Sequence, residues 1–132
     1  MALQLTVVTP ERQVLQIEAD EIELPGAGGY LGILPGHAPL ITLLGTGVLT
    51  VRKSGSSAAL AVSSGLAEVS ADTVSVLADS AEGAAEIDAA AAERDRAKAE
   101  EEMRSAGVDT LDEIRTRLEL AQARIAVARR PA

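Results

Sequence analysis

The apolar residues of this chain change their period near Ser80, and that change decides most of what the chain can fold into. Before it, Leu3, Leu5 and Val7, then Leu15, Ile17 and Ala19, Leu49 and Val51, Leu60 and Val62, and Val74 and Val76 recur at every second position. After it, Ala85, Ala89, Ala92, Arg96, Ala99, Met103 and Ala106 recur at alternating steps of four and three, as do Leu111, Ile114, Leu118, Ala121, Ile125 and Ala128. A period of two is a strand with one buried face, and a period near 3.6 is an amphipathic helix. The expected architecture is therefore an N-terminal flattened antiparallel β-sandwich over 1–80, a linker over 81–86 jointed at Gly83, and an antiparallel two-helix hairpin over 87–130. Composition follows the same division, because 15 of the 25 Ala lie beyond residue 80.

Local signals set the expected boundaries. The apolar phase switches between Ala19 and Ile22, which places a bulge or corner at Asp20 and Glu21. Turns are expected at Ser54-Gly55-Ser56-Ser57, Ser63-Ser64-Gly65 and Ala71-Asp72. Asp88 is the expected N-cap of the first helix and Gly107 its C-cap. Thr110 with Glu113 forms a capping box for the second helix, which Pro131 should end.

From Leu24 to Val51 the chain carries no Asp, Glu, Lys or Arg over 28 residues, a length able to cross a bilayer. Seven Gly and three Pro interrupt it. At about 1 kcal/mol for each Gly and 3 kcal/mol for each Pro, a spanning helix is excluded, and a turn-rich loop flanked by buried strands is expected. No secretory signal or transit peptide is apparent, which favours a bacterial setting.

Several function classes fall away. The chain has no Cys and one His, so disulfides, thiolate metal sites and Cys nucleophiles are excluded and no metal site is expected. A net charge of −8 with a single aromatic residue, Tyr30, disfavours nucleic acid as a partner. His37 lacks a nucleophile elbow to serve, no Gly-Lys-Ser/Thr loop exists, and Gly26-Ala27-Gly28-Gly29 reads as a turn. No catalytic residue and no cofactor are expected. The acidic residues of Glu86–Glu102 read as a solvated helix face. From Ile114 to Arg130, however, Arg115, Arg117, Arg124, Arg129 and Arg130 face only Glu119, a local charge of +4 that invites an acidic protein partner.

The segment Leu31-Gly32-Ile33-Leu34-Pro35-Gly36-His37-Ala38-Pro39-Leu40 resembles a signature of the epsilon-subunit family of bacterial and chloroplast F-type ATP synthases. Leu5-Thr6-Val7-Val8-Thr9-Pro10, Ser63–Val69, Val74–Asp79 and the Ile87-Asp88 helix start match as well. The resemblance implies a noncatalytic rotor subunit of a proton-translocating complex, peripheral to the cytoplasmic face of the bacterial inner membrane. Its implied partners are the gamma subunit, the c ring and, through the last helix, the alpha/beta hexamer. Tyr30, Leu31, Ile33, Leu34 and His37 become candidate contacts to gamma and the ring; Arg115, Arg117, Arg124, Arg129 and Arg130 become contacts of an extended hairpin that restrains ATP hydrolysis. Tyr30 departs from the acidic or amide residue usual there. Some relatives bind ATP on the hairpin, but Ala91 stands where their Arg does, leaving only Ile87, Asp88 and Arg124 as a remnant with no nucleotide binding expected. A free-standing adaptor of the same fold is the alternative reading.

Overall fold

The computed structural model describes residues 2–130, so Pro131 as the end of the second helix lies outside the described residues. Eight strands precede the helices: β1 (Leu3–Val8), β2 (Gln13–Ala19), β3 (Glu21–Gly26), β4 (Gly29–Ile33), β5 (Leu40–Leu44), β6 (Gly47–Lys53), β7 (Ser56–Ser70) and β8 (Thr73–Gly83). A 3-10 turn, Ala84–Glu86, leads into α1 (Ala89–Arg104) and α2 (Val108–Ala128). This is the expected sandwich and hairpin. Residues 81–86 hold the end of β8 and the 3-10 turn.

Two long strands make the layers. β7 pairs with β6 from Ser56 to Val62 and with β5 from Gly65 to Val69, so one strand serves both sheets. β8 follows it across, pairing Ser80 with Ser63 on one side of the corner and Ala78 with Gly65 on the other. One layer thus runs β2-β1-β8-β7-β5, with β1 parallel to β8, and the other runs β8-β7-β6-β3-β4. The period-two residues Leu3, Leu5, Val7, Ile22, Leu24, Leu49, Val62, Val74 and Val76 point between the layers and are fully buried. That core draws no residue from either helix.

Two expectations about this region are corrected. Ser63-Ser64-Gly65 is a bend inside β7, because Ser64 (φ 49°) and Gly65 (φ 147°) redirect the strand without ending it. The charge-free stretch is mostly sheet, since β4 and β5 lie within it: Gly28, Pro35, Gly36, Pro39 and Gly45 fall between strands, while Pro25, Gly26, Gly29, Gly32 and Gly47 are accommodated within them.

Tyr30 has an internal task. Extending the β3–β6 register beyond Glu23–Thr50 brings Pro25 opposite Val48, and proline has no N–H to continue the ladder. The Tyr30 hydroxyl crosses over and accepts from the Val48 N–H at 3.0 Å. Gly47 makes room for it: a Cβ there would lie 2.5 Å from that hydroxyl oxygen and 3.0 Å from Pro25 Cβ. Tyr30→Phe is expected to lose about 1 kcal/mol, a fall of roughly 3 °C in Tm, for want of one hydrogen bond to a half-buried amide. Gly47→Ala should cost about twice as much; thermal melting of the two variants checks both.

Candidate functional site

The sandwich has two outer faces, and they differ. On the β6–β7 side, α2 lies against the sheet, with Ala123 and Val127 packed on Ala61 and flanked by Val48, Ala59 and Ile87. α1 sits outside α2 and buries Ala92 and Ala99. Of the Ala residues on the helical period of the first helix, Ala85 and Ala89 are exposed, and the seam on the sandwich belongs to α2.

Among the described residues, no helix lies on the other outer face. Register places Leu43 beside Leu66, Leu66 beside Leu77 and Leu77 beside Val8, a row of aliphatic side chains across β5, β7, β8 and β1. Ile41 sits one step along β5. Exposure reaches 64% at Ile41, 65% at Leu43 and 54% at Leu77. A shallow groove beside the row is lined by Thr9, Pro10 and Asp79 as well as Val8, Leu66 and Leu77. A contiguous apolar patch of this kind marks an interaction surface. The period-two reading misses it because it follows one phase of each strand only. The available signal is that Leu40-Ile41-Thr42-Leu43-Leu44 is apolar in both phases, as is Leu66–Val69 in part, and a strand apolar on both sides is one covered on both sides.

The five residues expected to act together near the glycine-rich loop are separated. Tyr30 is in β4 with its hydroxyl engaged by Val48. Ile33 is a correction: the alternation of β4 turns it inward, where it is wholly buried in the core and unable to touch a partner. Leu31 is half-buried against the core. Leu34 and His37 remain on the loop between β4 and β5, Leu34 exposed and His37 half-buried. The loop is pinned by the Gly36 N–H donating to Asp72 Oδ1 at 3.1 Å, the His37 N–H to the Leu34 carbonyl at 3.1 Å, and His37 Nδ1 to the Ala38 carbonyl at 2.7 Å.

In the docked hairpin the basic helix meets acids of the same chain. Arg115 pairs with Asp112 within α2, Arg117 with Glu102 of α1, Arg129 with Glu93 of α1, and Arg124 with Glu82 of β8. Arg130 donates to Ser57 Oγ at 2.6 Å. Counting charges along α2 alone overlooks partners that only the tertiary fold brings in. On α1, Arg96 bonds Glu93 at 2.9 Å and Glu100 at 2.5 Å, and its hydrogen bond to Glu93 holds that carboxyl below its ordinary range.

Asp88 caps α1 as expected, its carboxylate accepting from the Ala91 N–H at 3.1 Å. The capping box at Thr110 does not form: Gly107 is the N-cap of α2, Ser105 closes α1, and the Thr110 hydroxyl donates to the Gly107 carbonyl. The three-residue connection Ser105–Gly107 leaves no room for a separate cap at 110. With Asp88 spent on the cap, Arg124 on Glu82, and Ile87 packed beside Ala61, the remnant nucleotide residues are each engaged within the chain. Among the described residues, no group of three or more acidic, His or Cys side chains could hold a metal, and no helix is long and apolar enough to cross a membrane.

Fold and surface together define a flattened β-sandwich followed by a helical hairpin that shields one outer face and leaves the other apolar. Residues 2–84 match the family model described as the ATP synthase delta/epsilon chain, beta-sandwich domain. The chain belongs to that family. Its relatives include the ATP synthase epsilon chains of Solibacter usitatus, 47% identical over 66 residues (50% of this chain, 49% of the relative), and Moorella thermoacetica, 52% identical over 68 residues (51% of each). The chain spans about half the length of the curated relatives it matches. In fold it is similar to a chain in the Euglena gracilis mitochondrial ATP synthase OSCP/F1/c-ring structure, with a TM-score of 0.81 at 23% identity over 95% of this chain and 80% of that one. A Tetrahymena thermophila central stalk/c-ring chain is more distant, with a TM-score of 0.54, 18% identity, and coverage of 65% and 69%.

Proposed function

We propose that this chain is a noncatalytic central-stalk subunit of a proton-translocating F-type ATP synthase, coupling rotation to ATP synthesis and seated peripherally on the cytoplasmic side of a bacterial inner membrane. The observation that carries the reading is the bare row Leu43–Leu66–Leu77–Val8 on a sandwich of this family. That row is the docking face for the gamma subunit, and the exposed Leu34 with His37 on the β4–β5 loop forms the contact to the c ring. The hairpin's basic residues, Arg115, Arg117, Arg124, Arg129 and Arg130, exchange their internal acids for those of the alpha/beta hexamer when the hairpin extends, and in that state restrain ATP hydrolysis.

Membranes solubilised in mild detergent test this directly. The chain should be recovered with gamma and the ring; recovery without them leaves the adaptor reading in its place. Deleting 87–132 removes no residue of the sandwich core. The truncated complex should therefore assemble and hydrolyse ATP faster than the intact one. Unchanged hydrolysis would remove the inhibitory role while leaving the docking role standing.

A further inference from the structure

The geometry points to the Glu82–Arg124 ion pair as the clasp that holds the hairpin on the sandwich and makes its release sensitive to salt. This deepens the reading of the hairpin as a movable arm and rests on it. The arginine contacts sort by what they join. Arg117–Glu102 and Arg129–Glu93 tie α2 to α1, so they travel with the hairpin whether it is docked or free. Arg115–Asp112 lies within α2. Arg12–Glu86 tethers the 3-10 turn to the β1–β2 connection, ahead of both helices. Among the described residues, the side-chain contacts that bridge the hairpin to the sheet are Arg124–Glu82 and, just past the end of α2, Arg130–Ser57, and the first alone joins two charges.

Position strengthens the case. Glu82 is the next-to-last residue of β8, paired with Ala61 across the ladder, and stays with the sheet if the chain swings after Glu86. The Arg124 Nε donates to Glu82 Oε1 at 2.7 Å, and the two side chains are 29% and 27% exposed, against 40% or more for both partners of Arg12–Glu86 and Arg117–Glu102. A partly shielded pair is the one whose Coulomb energy is least diluted by water. The apolar seam beside it is small, three buried residues of which two are alanine. Against so small a seam, losing the clasp shifts the docked–free balance measurably.

The chain has no cysteine, so Ala61→Cys introduces a unique thiol at a position wholly buried under α2. Its rate of labelling by a soluble thiol reagent reports hairpin lift-off in the full-length chain. Adding Arg124→Gln is expected to raise that rate ~5-fold, as is Glu82→Gln. Arg115→Gln, which loses an ion pair of no consequence to docking, should leave it unchanged. Sodium chloride at about 0.5 M should accelerate labelling in the Ala61→Cys chain and have little further effect once Arg124→Gln is present. The reversed pair, Glu82→Arg with Arg124→Glu, should restore slow labelling, which a merely structural defect would not. Equal rates with and without Arg124→Gln, or an equal rise from Arg115→Gln, would overturn the clasp. Because the isolated chain is used, such a failure is separate from failure to copurify with gamma.

Discussion

Leu43→Asp is expected to weaken docking of the sandwich to the gamma subunit ~100-fold or more while leaving the isolated chain as stable as before. The side chain is 65% exposed in the free chain, so an aspartate there keeps its water and strains nothing. In a complex it would lie at the β5 end of the row, beside Leu66 and on the same strand face as Ile41. Burying an unpaired carboxylate among aliphatic side chains costs about 3 kcal/mol or more, and that penalty falls wholly on the bound state. At about 1.4 kcal/mol per tenfold, the loss is two orders of magnitude. Ser105→Asp makes the same change of charge at the exposed far end of the hairpin and should leave docking unaffected. Affinity measured against purified gamma, with a thermal melt of each variant, reads both halves of the expectation. Undiminished binding by Leu43→Asp would mean that gamma uses another face.

That face was only half legible in the sequence, and the reason is physical. Periodicity finds the phase of a strand that is buried in its own domain; it is silent about the opposite phase when a second chain covers it. Leu43, Leu66 and Leu77 therefore read as unremarkable neighbours of core residues Leu44, Ala67 and Val76. Ile33 shows the converse error, an apolar residue in a glycine-rich segment assigned to the surface when the alternation of β4 turns it inward. The strands themselves were legible wherever glycine and proline stayed at their ends. β4 and β5 were missed because Gly29, Gly32, Pro35 and Pro39 raise the turn content of their window, although each of these residues sits in an exposed strand position or in a bend. The excess of arginine on α2 is legible by counting, but the pairs it makes in the docked hairpin are not, since Glu82, Glu93 and Glu102 lie 42, 36 and 15 residues away and only packing brings them near. Asp88, whose cap depends on residues three apart, was legible in full.

Gly65→Ala should have the largest effect on stability of any single methyl added to this chain, and it would reach the docking face as well. Gly65 is the corner at which β7 leaves one layer for the other, with φ at 147°, a conformation that L side chains rarely adopt. A Cβ there would fall against the carbonyl oxygen of Leu77 and lie 2.9 Å from its carbonyl carbon and 3.0 Å from Ala78 Cα. These are backbone atoms of the paired strand, unable to rotate away. Backbone strain of about 1–3 kcal/mol and a comparable steric term add to roughly 4 kcal/mol, a large part of the stability of a domain this size. Two other glycines separate the contributions. At Gly28 a Cβ meets nothing within 4 Å and φ is unexceptional, so Gly28→Ala should be neutral; Gly29 has φ of 136° but equally open space, so Gly29→Ala should cost only the strain. Ordered Tm values, with Gly28→Ala highest and Gly65→Ala more than about 10 °C below it, would establish the corner as the tightest point of the fold. The functional consequence follows from register. Relief of the clash requires β7 and β8 to part at the corner, and a one-residue slip there turns Leu66 and Leu77 from the outer face to the inner one. Loss of gamma binding should therefore accompany whatever fraction of Gly65→Ala still folds, whereas Gly29→Ala, strained at a distance from the row, should bind as well as the unaltered chain. A Gly65→Ala protein melting within about 2 °C of Gly28→Ala would show that the corner can move, and the register of the docking row would then need another anchor.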